Sequence, residues 1–465
     1  TMKGLVIYYY LVNAAVVITH NIIFTDASDR RSSRKRSRYR HGYFPFSPLH
    51  RRYQPQDPNP LPTIEDLEEQ ATNNDIIDIV LDEIIGTDGG LIIDRYIPSP
   101  TWLWRQWYST VFQNSVSNSY RRMISTFGLC CLLRKIIFGD WNVWDHPTCN
   151  LHHRPGNALV IQFLNSFNKI WKSLLPLITL VLIFFVSQAY NYWISVYQLC
   201  RNIQGRINDI EMILVTHVSR KNDRFGRRLS SYTSDGEEFL QDISHKLRAF
   251  HILFWASNAR RFRILLTDRG LSRMVAKDVL TQQEKEALDL QISVNKTQKH
   301  WMLLEWVIFK CKEAQHSNNN GINKRWNKRC ILQGGYGLET VLLDQICSLR
   351  TCCSQISNKI TGRMALAYAH YVQILLDSFL FMASIVQYNE LGIWSIISVG
   401  VLTLFYSGLL DLAFDFLDPL FDDREYKGDS GGNDDTSVYL DLAVLIREST
   451  SAAQRWINSG SKLRW

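Results

Sequence analysis

The chain has 465 residues, of which 46% are hydrophobic, 12% aromatic and 21% charged, and its net charge is +8. This hydrophobic and aromatic content excludes a chain that is disordered throughout, and the length allows roughly two to four soluble domains. The mean hydropathy of −0.14 averages over long runs without any charged residue. Residues 173–200 form a run of 28 and residues 391–410 a run of 20, and both are long enough to cross a bilayer as a helix.

The N-terminal hundred residues combine a hydrophobic segment with a polar tail. Residues 4–25 contain no charged residue, so we interpret residues 1–26 as a secretory or organelle-targeting signal, with a signal anchor as the alternative. Seven of the eleven residues at 30–40 are Arg or Lys, and four prolines follow at 55–62. Such a composition cannot bury enough apolar surface to form a core, so residues 27–100 are predicted to be mostly disordered.

Two parts of this region carry further information. The basic run has no recognition fold beside it, so it predicts a solvated tail or a patch for anionic lipid and no nucleic-acid partner. The sequence NDIIDIVLDEII predicts a short acidic amphipathic helix that starts at Asn74 or Asp75 and ends at Gly86. The folded body is expected to begin after Pro100, where TWLWRQWYSTVF is typical of a helix at a membrane interface.

Four segments of the body have the hydrophobic length of membrane spans. They lie near residues 123–140, 171–193, 364–387 and 391–412. The first contains Arg134 and Lys135, so it crosses the membrane only if these side chains snorkel or mark an end of the span. The last two are separated only by YNELG, a connection so short that the two helices are predicted to be antiparallel neighbours.

Between the second and third spans lies the polar stretch 201–363, in which apolar residues still recur at helical spacing. Thr281, followed three residues later by Glu284, is the signature of a capping box at a helix N-terminus. No strand pattern extends over more than a few residues. We therefore predict a bundle of amphipathic helices on one side of the membrane, in the cytosol or the stroma.

Motifs of the common enzyme classes are absent from the sequence. There is no nucleophile elbow, no phosphate-binding loop and no HExxH zinc motif, and the paired carboxylates of DPLFDDREY lack the repeated acidic motif of a two-metal transferase. The nine cysteines contain no C-x-x-C pair, so neither a zinc site nor a disulfide framework is predicted. Asp377 lies within the third span, where an ionisable residue either has a function or bonds within the helix bundle.

An acidic run follows the last span directly, since residues 411–435 contain nine acidic residues and two basic ones. A proline in this run frees backbone carbonyls, and carboxylate and carbonyl oxygens are the ligands that Ca²⁺ prefers. Asp415, Asp418 and Asp423 are therefore candidate calcium ligands, and a solvated acidic loop is the alternative. Residues 417–465 are predicted to form this loop and a C-terminal helix or tail.

The order and spacing of these features resemble the bestrophins, a family of pentameric anion channels. LLPLITLVLIFFVSQAYNYW resembles the pore-lining second span of the family, with Pro176 where that helix carries proline and Tyr192 and Trp193 where it carries an aromatic pair. SLRT followed by ALAY is similar to the entry into the third span, although Ala365 replaces the usual proline. LTQQEKEAL and FLDPLFDD are similar to a helix start and to the acidic run after the last span. The resemblance covers most of residues 102–447.

The resemblance implies a pore neck on the second span. Leu175, Thr179 and Ile183 occupy the positions of the apolar neck residues of the family, and they recur every four residues. Five copies of the helix would place them in three stacked rings. Thr179 stands where a bulky aromatic residue is expected, so the neck should be wider or wetter at the middle ring.

The resemblance also implies a calcium clasp and a cellular location. Asp418 and Asp423 match the clasp by position, whereas Tyr426 stands where a second acidic ligand would fall. The C-terminal sequence DLAVLIRESTSAAQRW has no counterpart in the animal proteins and looks more like an algal or plant-type branch. This branch implies a plastid, thylakoid or other internal membrane, with the plasma membrane as the alternative.

We therefore expect an all-α integral membrane protein with four transmembrane helices and a helical bundle, whose channel body spans residues 101–416. The resemblance implies a homopentamer that passively conducts chloride or bicarbonate, with membrane lipid and further copies of the chain as partners. It implies no cofactor other than Ca²⁺ and no catalytic activity. The alternatives are a membrane-bound, metal-dependent transferase and a non-conducting membrane scaffold.

Overall fold

The computed structural model of the chain describes residues 64, 67, 74–86, 90–93, 99–100, 111–138, 158–222, 228–290, 298–315, 330–420 and 438–462. The chain divides into two units, and all of these residues belong to the unit that starts at Leu61. The predicted signal at 1–26 and the predicted tail up to residue 62 lie outside the described residues.

The described residues form eleven α-helices, two short 3₁₀ helices and one antiparallel pair of strands. In chain order they are α1 (Asn74–Ile85), α2 (Val111–Phe138), α3 (Ala158–His217), β1 (Arg220–Asn222), β2 (Arg228–Tyr232), α4 (Ser234–Asn258), a 3₁₀ helix (Arg261–Leu266), α5 (Asp268–Ala276), α6 (Gln282–Leu290), α7 (His300–Gln315), α8 (Gly335–Thr361), α9 (Leu366–Leu391), a 3₁₀ helix (Gly392–Trp394), α10 (Ser395–Leu417) and α11 (Leu442–Gly460). The strands, of three and five residues, are too short to give a period-two pattern, which is why the sequence did not indicate them.

Helix α3 is the longest element and joins the two halves of the fold. Its 60 residues correspond to about 90 Å at 1.5 Å per residue. Its buried side chains recur at steps of three, four or seven residues and form one continuous stripe: Ile178, Leu182, Phe185, Ala189, Val196, Cys200, Ile203, Ile207, Ile210 and Leu214. The first four pack in one hydrophobic cluster and the others in a second, larger one. A single helix therefore contributes to both cores.

Helices α9 and α10 flank the first half of α3. The Trp171 ring stacks on Phe379 of α9 with 5.2 Å between ring centroids, and Phe185, further along α3, contacts Tyr368 near the start of α9. Helices α3 and α9 are therefore antiparallel. Phe185 also contacts Phe414 near the end of α10, so α10 runs parallel to α3. Helices α9 and α10 are thus antiparallel neighbours, as their short connection predicts.

Helix α2 lies against both α9 and α10. The Ser119 hydroxyl donates to the Gly400 carbonyl of α10 at 2.6 Å. This approach requires glycine, because a Cβ at Gly400 would lie 2.7 Å from the Met123 side chain. On the α9 side, the hydroxyls of Thr126 and Ser384 are 3.1 Å apart. Helix α2 is therefore packed through small and polar side chains.

Three of the four predicted spans coincide with helices that are long and apolar enough to cross a membrane. Among the described residues, these candidate spans are Gln162–His217, Leu366–Tyr388 and Gly392–Leu417. Helix α2 covers the predicted span at 123–140 as far as Phe138, but it is not one of them. Arg134 is buried within the fold, so of the two alternatives that the sequence left open, snorkelling and an end of the span, the first does not apply to its side chain.

The bundle half is built around α4, which packs against α7 and α11, while α8 and α11 pack against α3. Phe250, Phe254 and Trp255 of α4 are fully buried in its core. The predicted capping box at the start of α6 is confirmed. The Thr281 hydroxyl accepts from the Glu284 backbone N–H at 3.2 Å, and the Glu284 carboxylate accepts from the Thr281 N–H at 2.9 Å.

Helix α1 belongs to this bundle, so the folded body does not begin after Pro100 as the sequence suggested. Its apolar face is buried in the larger core through Ile77, Val80, Leu81 and Ile84. Its acidic face pairs with basic residues of the following elements: Glu83 with Arg261, and Asp82 with Lys277 at 2.6 Å. The sequence predicted the helix itself but gave no indication of the distant surface on which it docks.

Helix α11 closes the bundle and also matches the predicted C-terminal helix. Asp441 caps its N-terminus by accepting from the Ala443 and Val444 backbone N–H groups. Glu448 accepts from Arg201 of α3 at 2.7 Å, and the Ser449 hydroxyl lies 3.0 Å from the ring nitrogen of His251 on α4. The helix therefore links α3 and α4 through polar bonds as well as through apolar packing.

Two nested deletions test where the folded body begins. Deletion of residues 26–62 removes none of the described core and is expected to leave the melting temperature of the purified protein in detergent unchanged. Deletion of residues 26–86 removes α1 and its four buried side chains, each worth about 1.5–3 kcal/mol, and should lower the melting temperature and the yield strongly. Equal losses for the two deletions would contradict this boundary.

Candidate pore face on helix α3

One exposed face of α3 remains in the part that packs against α9 and α10. Along one side of it, Pro176, Leu180, Ile183 and Ser187 follow one another at steps of three and four residues and therefore lie in a row along the helix axis. We refer to these four residues as the exposed row. Leu180 is 66% exposed and Ile183 58%. The face also includes Ser173, Leu177, Phe184 and Gln188.

The predicted neck residues do not share this face. Leu175 is half-buried and packs against the cluster formed with α9 and α10. The Thr179 hydroxyl faces α10, where it lies 2.7 Å from the Tyr406 hydroxyl. Of the three, only Ile183 belongs to the exposed row. Four residues turn an α-helix by about 40° more than a full turn. Three residues at this spacing therefore do not lie on one face but move around the helix, from the side of Thr179 that faces α10 to the exposed side at Ile183.

The landmark residues of the second span lie at two levels of α3: Pro176 in the part that packs against α9 and α10, and the aromatic pair at the start of the bundle part. Pro176 is exposed, and because it has no N–H it leaves the carbonyl four residues earlier, that of Lys172, without its helical donor. The Tyr192 hydroxyl donates to the Lys359 carbonyl at 3.3 Å, and the Trp193 indole N–H donates to the Val438 carbonyl at 2.8 Å. The aromatic pair therefore anchors α3 to the ends of the neighbouring segments.

Ionisable side chains of α2, α3, α9 and α10 bond between helices. Arg122 of α2 contacts Asp377 of α9 at 2.6 Å, which gives the acidic residue singled out in the third predicted span a partner within the fold. The Ser115 hydroxyl donates to Asp411 of α10 at 3.3 Å. At the opposite end of α9, Glu390 accepts from Lys172 at 2.6 Å. The sequence gave no signal that Arg122 is the partner of Asp377, since 255 residues separate them.

In the described part of the acidic run, Asp418 contacts protein groups. The Asp418 carboxylate lies 3.3 Å from Arg363, and the Asp418 backbone N–H donates to the Asp415 carbonyl at 3.2 Å. No group of three or more candidate metal-ligating side chains comes together within the described residues. Asp423 and Tyr426 lie outside them. The oxygens of Asp415 and Asp418 by themselves do not form a calcium clasp.

The bundle contains ionised and neutral groups whose protonation is fixed by their surroundings. Burial disfavours the charge on Glu284, but the Thr281 N–H and Lys246 hold the pKa of this carboxyl below its ordinary value. Burial also disfavours the charge on Lys246, which by itself would lower its pKa. Its contacts with Asp242 and Glu284 outweigh this effect and hold the pKa above the ordinary value. Burial alone lowers the pKa of His251 to about 3, so this side chain is a neutral packing residue at physiological pH.

No family model matches the chain, and no curated protein matches it. Solved structures do match. A crystal structure of a variant of a bacterial bestrophin homologue from Klebsiella pneumoniae has a TM-score of 0.48 and 10% sequence identity, and the match covers 75% of this chain and 97% of that one. A second crystal structure of a bacterial bestrophin homologue from Klebsiella pneumoniae has a TM-score of 0.46 and 11% identity, over 73% and 98% of the two chains. Both belong to the family whose motifs the sequence resembles.

The pairing of Arg122 with Asp377 leads to a stability prediction. Asp377→Ala leaves a partly buried guanidinium without its carboxylate between α2 and α9 and should lower the free energy of unfolding by about 1–3 kcal/mol. Replacement of both residues by leucine should recover most of this loss. The control is Glu390→Ala, which breaks the more exposed pair with Lys172 and should cost about 1 kcal/mol or less. Denaturant unfolding in detergent measures all three, and equal losses for the two pairs would contradict a structural role of Asp377.

Proposed function

We propose that the chain is one subunit of a bestrophin-type anion channel, a homopentamer in which α3 lines the ion path. The observation that carries the proposal is the exposed row on α3. This row lies on a helix that runs without interruption from the membrane helices into the bundle, and it bears no charged side chain. Five such rows around an axis would enclose an apolar constriction.

The proposal includes α2 as the fourth membrane span. Contacts at both ends support it, because Ser115 bonds near the end of α10 and Cys130 lies 3.5 Å from Ser395 at its start. Helix α2 therefore occupies the same depth as α10. Its exposed side carries large apolar residues over a length of about 30 Å, which matches a bilayer core: Val116, Tyr120, Ile124, Phe127, Leu132 and Ile136.

The proposed permeant ions are chloride and bicarbonate. Residues 173–200 of α3 contain no carboxylate that would attract a cation. An apolar constriction favours large, weakly hydrated anions, because these ions lose less hydration free energy in a narrow passage than small cations do. The proposed location is an internal membrane such as that of a plastid, in keeping with the resemblance of the C-terminal sequence to the algal and plant-type branch.

The exposed row also modifies the proposed neck. Ile183 keeps the role that the resemblance implies, and Leu180 replaces Thr179 as its neighbour because it is the more exposed side chain. Leu175 would support the helix from the α10 side. Ser187 lies one turn below Ile183 and would give the constriction a polar exit toward the bundle.

Bilayer recordings of the purified protein test the function. We expect a particle of about five times 54.1 kDa by mass photometry and an anion-selective current in chloride and bicarbonate gradients. The double change Leu180→Ala and Ile183→Ala should raise the open probability several-fold, because it removes the bulk of the apolar constriction. The matched control is Leu177→Ala, an exposed leucine of the same helix outside the row.

Three outcomes would contradict parts of this proposal. An intact pentamer without current would favour a non-conducting scaffold, and metal-dependent turnover without current would favour a membrane transferase. Equal effects of Leu177→Ala and of the double change would show that the exposed row does not line the path.

Calcium sensitivity is a separate proposal that follows from the family resemblance. It predicts that the current rises with micromolar calcium, the range of sensor sites, and that Asp423→Ala removes the response. Arg363→Gln should strengthen the response, because it removes the ion pair between Arg363 and the Asp418 carboxylate, which would compete with a bound calcium ion. Identical currents in calcium and in a chelator, for the wild type and for Arg363→Gln, would reject the clasp.

A further inference from the structure

We propose that Tyr406 of α10 is a positioning residue that keeps the exposed row dry by holding the Thr179 hydroxyl away from the ion path. The inference rests on the proposed function, since it assigns a role to Tyr406 in the same constriction. Tyr406 touches neither the ion nor the exposed row. Its hydrogen bond with Thr179 would determine how polar the row is at mid-span.

The hydrogen-bond directions follow from the geometry. The Thr179 hydroxyl donates to the Leu175 carbonyl one turn earlier at 2.8 Å. Its single hydrogen is therefore used, and the contact of 2.7 Å with Tyr406 must be donated by the tyrosine hydroxyl. Tyr406 in turn contacts the Phe379 ring of α9 at 5.8 Å between centroids, so its ring is held between α3 and α9. Both hydrogen-bonding functions of Thr179 are satisfied inside the subunit.

The position of Thr179 makes this bond consequential. It lies three residues after Pro176, whose missing N–H removes the helical bond to the Lys172 carbonyl and loosens the turn that precedes the proline. On the helix surface it also adjoins Ile183 of the exposed row, four residues later. Because the rest of α3 at this level is apolar, the Thr179 oxygen is the polar side-chain atom closest to the constriction along residues 175–186.

Loss of the tyrosine hydroxyl would leave the Thr179 oxygen with an unused acceptor site. In a membrane interior such a group costs free energy unless it finds a donor, and the donor available beside the exposed row is water in the path. Water recruited there would hydrate the constriction, whose barrier depends on dewetting. The same reasoning predicts no hydration when the oxygen itself is removed, which separates this role from simple tethering of two helices.

The experiment compares Tyr406→Phe, Thr179→Val and the double variant in planar bilayers under a chloride gradient. Tyr406→Phe should raise the open probability several-fold and keep the anion preference. Thr179→Val and the double variant should stay close to the wild type, because neither has the unsatisfied oxygen. Thr179→Ser in the Tyr406→Phe background keeps a hydroxyl, so its open probability should be as high as that of Tyr406→Phe alone and higher than that of the double variant with Thr179→Val. Tyr371→Phe is the matched control, since it removes an exposed hydroxyl from α9.

Distinct results would overturn the inference and the proposed function. Wild-type current with an unchanged open probability in Tyr406→Phe overturns the inference alone, as do equal increases in Tyr406→Phe and Thr179→Val, which would indicate a tether. A silent wild-type pentamer overturns the proposed function and with it the inference. Mass photometry of each variant confirms assembly. If Tyr406→Phe fails to assemble, Tyr406→Leu must raise the open probability in its place, and an unchanged value overturns the inference.

Discussion

The fold depends on one continuous stripe of buried side chains along α3. Such a stripe needs partners at every level, and the chain supplies α9 and α10 for its first part and α4, α8 and α11 for the rest. An α-helix satisfies its own backbone hydrogen bonds, so no loop is needed where the surroundings change from lipid to bundle. A displacement of the bundle end of α3 therefore reaches its other end through the helix itself, with Pro176 as the point where the helix bends most easily.

The polar residues of α2 explain its low mean hydropathy. Ser119 and Arg122 point toward α10 and α9 and bond there, while the exposed side carries large apolar side chains together with Arg121 and Lys135. A hydropathy average cannot separate these two faces, because it counts a bonded arginine in the same way as a lipid-facing one. Only the three-dimensional pairing with Asp377, far away in sequence, shows how the charge is accommodated.

Most of the fold was predictable from local sequence, and the parts that were not depend on distant contacts. Charge-free runs and helical spacing predicted α3, α9 and α10, and the Thr281 capping box marked the start of α6. The docking of α1 was not predictable, since Glu83 and Arg261 meet across 178 residues. The pore neck stays a prediction. Of the residues that a spacing of four selected, Ile183 lies in the exposed row, whereas the drift of about 40° at each step places Thr179 on the α10 side.

The dryness of an apolar path is a property of two layers of side chains. The first layer, here Leu180 and Ile183, sets how much apolar surface water would have to wet. The second layer decides whether any polar atom behind that surface still lacks a partner, because an unsatisfied acceptor attracts water through a barrier that side-chain bulk alone would maintain. In the proposed channel, Thr179 would be tolerated beside the row for this reason, since its hydroxyl donates to its own helix and accepts from α10. A threonine next to an apolar constriction therefore need not make it polar.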